Sequence, residues 1–177
     1  MKILRMFLLE LRRLLQSRLT WLTVLLTVLS PAAGLTFFCP ATASTMHSVY
    51  LANPAMAGGA AAGILFGLLS IYELDRVGRS RMDMLMNAAV SPMSMALARL
   101  MALLAAAAAA LALTMLVWLP VTWQLVGAVF SGTDYALAYL LFMGLALPLA
   151  VLAAASACQF THPADLSLVL FAAFAGL

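Results

Sequence analysis

Hydrophobic and polar positions alternate in blocks along this chain, and the blocks predict helices that cross a membrane. Predominantly apolar segments cover 19–38, 54–72, 92–119 and 135–157, and each approaches or exceeds the roughly 20 residues needed to cross a bilayer as a helix. A further apolar segment, 166–177, gives only about 18 Å of helix at 1.5 Å per residue. We expect this last segment to be the truncated start of a fifth span, with a re-entrant hairpin as the alternative.

The first 18 residues have a different, amphipathic pattern. Apolar residues recur there at three- and four-residue spacing: Ile3, Leu4, Phe7, Leu8, Leu11, Leu14 and Leu15. The other side of the helix carries Lys2, Arg5, Arg12, Arg13 and Gln16. This spacing is typical of a helix in the plane of the membrane interface, with its basic residues at the headgroups. A cleaved signal peptide is the alternative, but the charged region is too long and the following apolar segment is long enough to span.

Composition supports the same class of protein. Hydrophobic residues make up 66% of the 177 residues and charged residues 8%, whereas soluble domains have about 25% charged residues. The sequence therefore predicts an all-α, polytopic integral membrane protein forming one transmembrane domain over 1–177. The formal net charge of +3 is explained by basic residues at membrane borders and does not indicate nucleic-acid binding.

The positions of the nine basic residues predict the topology. They fall in two patches, 2–18 and 76–99, with none in the 39–54 segment between them. Lys and Arg are retained on the cytoplasmic side of short loops. We therefore expect a multi-pass protein of the plasma (cytoplasmic) membrane with a cytoplasmic N-terminus, and the basic residues as interface anchors: Lys2, Arg5, Arg12, Arg13, Arg18 and Arg99.

The second span carries a stripe of small residues. Gly59, Gly63 and Gly67 recur every four residues, and such a stripe lets two helix backbones approach closely in lipid. It predicts a tight helix contact within the chain or across a dimer, unless an Ala- and Gly-rich segment has produced the spacing by chance.

The sequence offers no catalytic or metal-binding constellation. No pair of Cys, His, Asp or Glu has metal-ligand spacing, no Gly-x-Ser-x-Gly elbow occurs, and neither histidine is expected at membrane depth. The alternation of Met82, Met84 and Met86 is better explained by helix packing than by copper binding. Lys2 is the only lysine, so a phosphate-binding Gly-Lys-Ser/Thr loop is excluded. We expect no enzyme activity and no cofactor in this chain.

The segment 73–91 between the second and third spans is the remaining informative region. It begins polar and becomes amphipathic, with Met82, Leu85 and Met86 on one side, and it ends at Ser91, a good N-cap residue, and Pro92, a good first-turn residue. A short helix along the membrane fits this pattern, and a solvated loop is the alternative.

The order of these elements resembles the membrane (permease) subunit of an ABC transporter of the ABC-2 type. Glu73 stands where that family has an acidic residue after the second span, Ser91, Pro92 and Ser94 match its Pro-x-Ser step, and Arg99 takes the place of a lysine. The family's Gly-Thr after the acidic turn is absent, and Gly78-Arg79-Ser80 lies nearby instead. The resemblance covers essentially the whole chain and implies six spans in the complete subunit.

The resemblance also implies a function and partners. The chain would be the permease of an ATP-driven exporter, pairing with a second protomer in a homo- or heterodimer and with a cytoplasmic subunit that binds ATP and Mg. Segment 73–91 would be the coupling helix. Its candidate partner contacts are Glu73, Asp75, Arg76, Arg79, Arg81, Met82, Asp83, Leu85 and Met86. The alternative from another class is a non-transporting anchor or sensor module that docks a cytoplasmic partner through the same segment.

Overall fold

A computed structural model describes residues 2–37, 47–79, 91–160 and 164–176, and within these ranges the chain is helical with no strand. In chain order the helices are α1 (Lys2–Gln16), α2 (Arg18–Leu29), α3 (Pro31–Phe37), α4 (His47–Arg79), α5 (Pro92–Val126), α6 (Gly132–Phe160) and α7 (Ala164–Ala175). A 3-10 turn, Gly127–Val129, lies between α5 and α6. The predicted all-α fold is confirmed.

Four stretches are long and apolar enough to cross a membrane: Arg18–Thr36, Val49–Arg76, Met93–Val129 and Gly132–Phe160. They correspond in order to the four predicted spans, and they make the chain a polytopic membrane protein. The helices α4, α5 and α6 extend beyond the predicted second, third and fourth spans. The shorter apolar helix Asp165–Ala175 follows them.

The first span is not one continuous helix. It breaks at Ser30, because Pro31 has no N–H to donate to the carbonyl of Thr27. The Ser30 hydroxyl donates to that carbonyl at 2.6 Å instead. The carbonyl of the next residue, Val28, accepts a hydrogen bond from the indole Nε1 of Trp118 on α5 at 2.7 Å. A side chain from another helix therefore also contacts the backbone beside this break.

The core lies between α4, α5 and α6, with α1 covering one end. Its largest fully buried side chains include Phe66, Tyr135, Tyr139, Met143 and Leu147. Small residues fill the closest approaches, among them Ala102, Ala106, Ala107 and Ala110 of α5. Packing of this kind holds helices together in lipid, where apolar burial alone gives little advantage.

Ser91 stands at the N-cap of α5 with Pro92 in the first turn, which confirms the predicted helix start. The Ser91 hydroxyl donates to the Ser94 Oγ at 2.9 Å rather than accepting from a backbone N–H. The Ser94 hydroxyl in turn donates to the backbone carbonyl of Ser91 at 2.8 Å. The two serines of the Pro-x-Ser step thus fix each other at the beginning of α5.

Candidate functional site

Four charged side chains from three helices meet at one end of the bundle. Glu10 and Arg13 come from α1, Glu73 from α4 and Arg99 from α5. Arg13 Nη2 donates to Glu73 Oε2 at 2.9 Å, and Arg99 Nε donates to Glu10 Oε1 at 3.3 Å. Within α1, Arg13 Nε lies 2.9 Å from Glu10 Oε2. These four residues are called the ion-pair cluster below.

The ion-pair cluster is largely removed from solvent. Its side-chain exposures are 3% for Glu73, 12% for Glu10, 14% for Arg99 and 34% for Arg13. Two carboxylates face two guanidinium groups, so the cluster is neutral as a whole. This balance is needed because an unpaired charge at such a site is costly.

The cluster is not completely hydrogen-bonded. Arg13 Nε and Glu10 Oε2 are close enough for an ion pair but are not aligned for a hydrogen bond, and Glu73 Oε1 also has no hydrogen-bond partner. Arg76 reaches Glu73 Oε1 only at 3.8 Å, from a side chain that is 55% exposed. A cavity of about 10 Å³ lies among these groups and Leu14, Leu74, Ala102 and Leu103, and this is close to the smallest volume that holds a water molecule.

Glu73 and Arg76 are the predicted partner contacts whose side chains the structure places at this cluster. Glu73 is buried and engaged by Arg13, so it is not presented to a cytoplasmic partner in this arrangement, whereas Arg76 is exposed. Asp75 lies half-buried on the same helix and has an interaction within the chain. The backbone of α4 includes Arg79. The other predicted contacts lie outside the described residues: Arg81, Met82, Asp83, Leu85 and Met86.

The predicted membrane anchors divide into two groups. Arg5, Arg12 and Arg18 are exposed, as residues at a headgroup layer should be. Arg13 and Arg99 instead turn inward to the carboxylates of the ion-pair cluster, because Glu10 and Glu73 supply nearer negative charge than lipid does. Lys2 begins α1, and its side chain is not among those described.

Helix α1 has two apolar surfaces rather than one. Leu14 is fully buried, and Phe7 and Leu11 pack on the bundle core. Leu4, Leu8 and Leu15 remain more than half exposed. The predicted interfacial face therefore corresponds to the second group, while the first group attaches α1 to the bundle beside the ion-pair cluster.

The glycine stripe of α4 lies against α6 and α7 within the chain. A Cβ atom added at Gly59 would stand 2.8 Å from the carbonyl oxygen of Phe142, so the two backbones touch there. At Gly63 the nearest atom, Ala146 O, would be 3.7 Å away, which is ordinary contact. The ring of Phe171 on α7 occupies the space beside Gly67. The three glycines thus have different neighbours and different tolerances.

Sequence reasoning missed Glu10 and Gly34. Glu10 is the one carboxylate in the basic N-terminal helix, and its position three residues before Arg13 was the available signal. Gly34 has no partner glycine at four-residue spacing, yet the backbone carbonyl of Asn53 occupies the space that a Cβ atom there would need. It therefore marks a second backbone contact, between α3 and α4.

No group of three or more His, Cys, Asp or Glu side chains that could hold a metal ion occurs in the described ranges. Comparison with protein-family models, curated proteins and solved structures finds no match to this chain.

Proposed function

We propose that this chain is the permease subunit of an ATP-driven exporter of the ABC-2 type, contributing to the substrate path and coupled to a separate cytoplasmic ATPase. In this proposal the segment from 73 to 91 receives the movement of the ATPase. The subunit works with a second permease protomer in the plasma membrane, and its N-terminus faces the cytoplasm.

The observation that carries the proposal is the position of the ion-pair cluster. Glu73 lies near the end of α4, Arg99 lies near the start of α5, and 80–90 is the segment that connects these two helices. Glu10 and Arg13 of α1 bind both of them. A force applied to the connecting segment would therefore act on α1, α4 and α5 together rather than on one helix alone.

The sequence supports the division of labour between subunits. A permease that takes its energy from a partner needs no nucleotide site of its own, and a chain whose only lysine is Lys2 cannot form a phosphate-binding loop. Such a permease needs a cytoplasmic surface that the ATPase can recognise. The apolar side of 80–90, with Met82, Leu85 and Met86, has the chemistry of a docking helix in a groove.

The proposal is tested by adding charge to that apolar side. Met82→Asp combined with Leu85→Asp would place unpaired carboxylates in a docked apolar contact, at a cost of about 2–4 kcal/mol per site. We expect the variant chain to insert in the membrane but to lose its ATPase. The measurement is affinity purification from native membranes, with nucleotide hydrolysis assayed in the purified complex.

Two control variants separate charge from position. Ser80→Asp combined with Asn87→Asp adds the same charge to the same segment, but on the opposite side of the predicted helix. Met82→Leu combined with Leu85→Met keeps the apolar side. Both controls should retain the ATPase. If the Met82→Asp and Leu85→Asp double variant leaves nucleotide hydrolysis in the purified complex unchanged, the coupling role is wrong. A non-transporting anchor module then becomes the better interpretation.

A further inference from the structure

A groove of about 570 Å³ lies between α2, α4 and α7, on a side of the bundle that the ion-pair cluster does not use. Its volume falls within the range of about 300–1,000 Å³ that is typical of ligand sites. Most of its lining is leucine, and several of these side chains are substantially exposed, including Leu22, Leu26 and Leu68. The described residues therefore leave the groove open on this apolar side.

The groove is one lipid leaflet deep. Charged residues line one end of the groove, where α2 and α7 begin and α4 ends. Leu65, which lies earlier in α4, lines the groove away from that end. From Arg76 to Leu65 the helix rises about 16 Å. Half of a hydrocarbon core is about 15 Å. The charged end thus lies at headgroup level, and the apolar part ends near the middle of the membrane.

The charges at the open end have a specific composition. Arg76 offers a guanidinium group that is 55% exposed and lies 3.8 Å from the carboxylate of Glu73. Asp75 and Asp165 line the same end, and although Asp75 also interacts within the chain, both carboxylates contribute negative charge. Among the described residues that line this end, one cation stands beside two carboxylates. This composition favours a headgroup carrying an anionic phosphate and a cationic amine over one carrying a phosphate alone.

We propose that this groove binds one phospholipid with an amine headgroup, of the phosphatidylethanolamine type. Arg76 donates hydrogen bonds to the phosphate, the ammonium group donates to Asp165 and Asp75, and an acyl chain lies along Leu22, Leu26 and Leu68. The site needs only that the chain is embedded in a bilayer, so it does not depend on the export function proposed above.

The test compares two lipids on the full chain. The protein is placed in nanodiscs of equal parts phosphatidylethanolamine and phosphatidylglycerol, released, and examined by native mass spectrometry for the lipid that remains bound. We expect about tenfold more bound phosphatidylethanolamine than phosphatidylglycerol, because one charge-assisted contact raises affinity by about that factor. Equal retention of the two lipids would overturn the proposal and identify only ordinary surrounding lipid.

Two pairs of variants assign the effect to the groove. Asp165→Asn should lower the preference for the amine lipid about threefold to tenfold, whereas Asp134→Asn, the matching exposed first-turn carboxylate of α6, should not change it. Leu68→Trp should reduce the total lipid retained by filling the groove. Leu141→Trp, on an exposed leucine outside the groove, should not.

Two further outcomes would also overturn the proposal. One is an unchanged lipid preference in the Asp165→Asn variant, because the carboxylate would then have no part in binding. The other is efficient crosslinking between two copies of a Leu68→Cys variant in the same nanodiscs. That result would identify the groove as a surface for a second protein chain rather than for lipid.

Discussion

At the scale of single residues, the contact between Arg13 and Glu73 shows how a charge is kept at the edge of the membrane. Glu73 has 3% of its side chain exposed and receives a 2.9 Å hydrogen bond from Arg13. The net value of such a pair is small, because its desolvation offsets most of its attraction. Removing one partner lowers the stability more, because the other charge then stays buried without a counter-charge.

This asymmetry predicts a particular double-mutant result. Glu73→Gln and Arg13→Gln should each lower the free energy of unfolding by about 1–3 kcal/mol, less than for a fully buried pair because Arg13 is one-third exposed and keeps Glu10. The double variant should lose less than the sum of the two. The measurement is chemical unfolding in mixed micelles, and strictly additive losses would mean that the two side chains are not coupled.

At the scale of elements, the contact between α4 and α6 depends on one glycine more than on the stripe as a whole. The backbones touch at Gly59, whereas Gly63 has space for a methyl group. Equal spacing in the sequence therefore conceals unequal packing. The curvature and crossing of two helices bring only some positions of a stripe to the point of closest approach.

Alanine substitutions at the two positions should separate these roles. Gly59→Ala should destabilise the protein by about 1–3 kcal/mol, because its methyl group forces two backbones apart. Gly63→Ala should be neutral or stabilising by about 0.5–1 kcal/mol, because alanine favours the helix over glycine. Thermal unfolding of the purified variants checks this order, and the reverse order would contradict the helix pairing described above.

At the scale of the whole molecule, the ends of the long helices define two membrane faces. The start of α2, the end of α4 and the start of α5 share the face of the ion-pair cluster, and the turn between α5 and α6 lies on the other face. Of the six Lys and Arg side chains whose exposure the structure gives, none lies on that second face. The orientation proposed from this asymmetry is cytoplasmic for the first face.

Cysteine labelling in intact cells tests the orientation. In a chain with Cys39 and Cys158 replaced by serine, an impermeant thiol reagent should modify Thr133→Cys, because Thr133 is exposed in the turn before α6. Met93→Cys, exposed at the start of α5, should react only after the membrane is opened. Labelling of Met93→Cys alone in intact cells would reverse the proposed orientation.

The sequence predicted the apolar spans, but neither the break of the first span at Ser30 nor the contacts between helices. Long apolar runs define spans because lipid leaves a chain few other conformations, and Ser91-Pro92 defined a helix start through local chemistry. The ion-pair partners Glu10 and Arg99 are 89 residues apart, and no local pattern connects them. The sequence predicted Arg13 and Arg99 to be membrane anchors. A basic residue beside a span can bind either a lipid headgroup or a carboxylate, and only the three-dimensional packing decides which.

The ion-pair cluster also imposes an order on biosynthesis. Because Arg99 follows Glu10 by 89 residues, a ribosome adding about 5–20 residues per second makes the two partners on the order of ten seconds apart. Until then α1 lacks its attachment to α5, and the kinked first span lacks the indole of Trp118, which is made later still. The N-terminal helix α1 therefore meets α4 first, through Arg13 and Glu73. It gains its contact with α5, and the first span gains the indole of Trp118, only after the third span has been made.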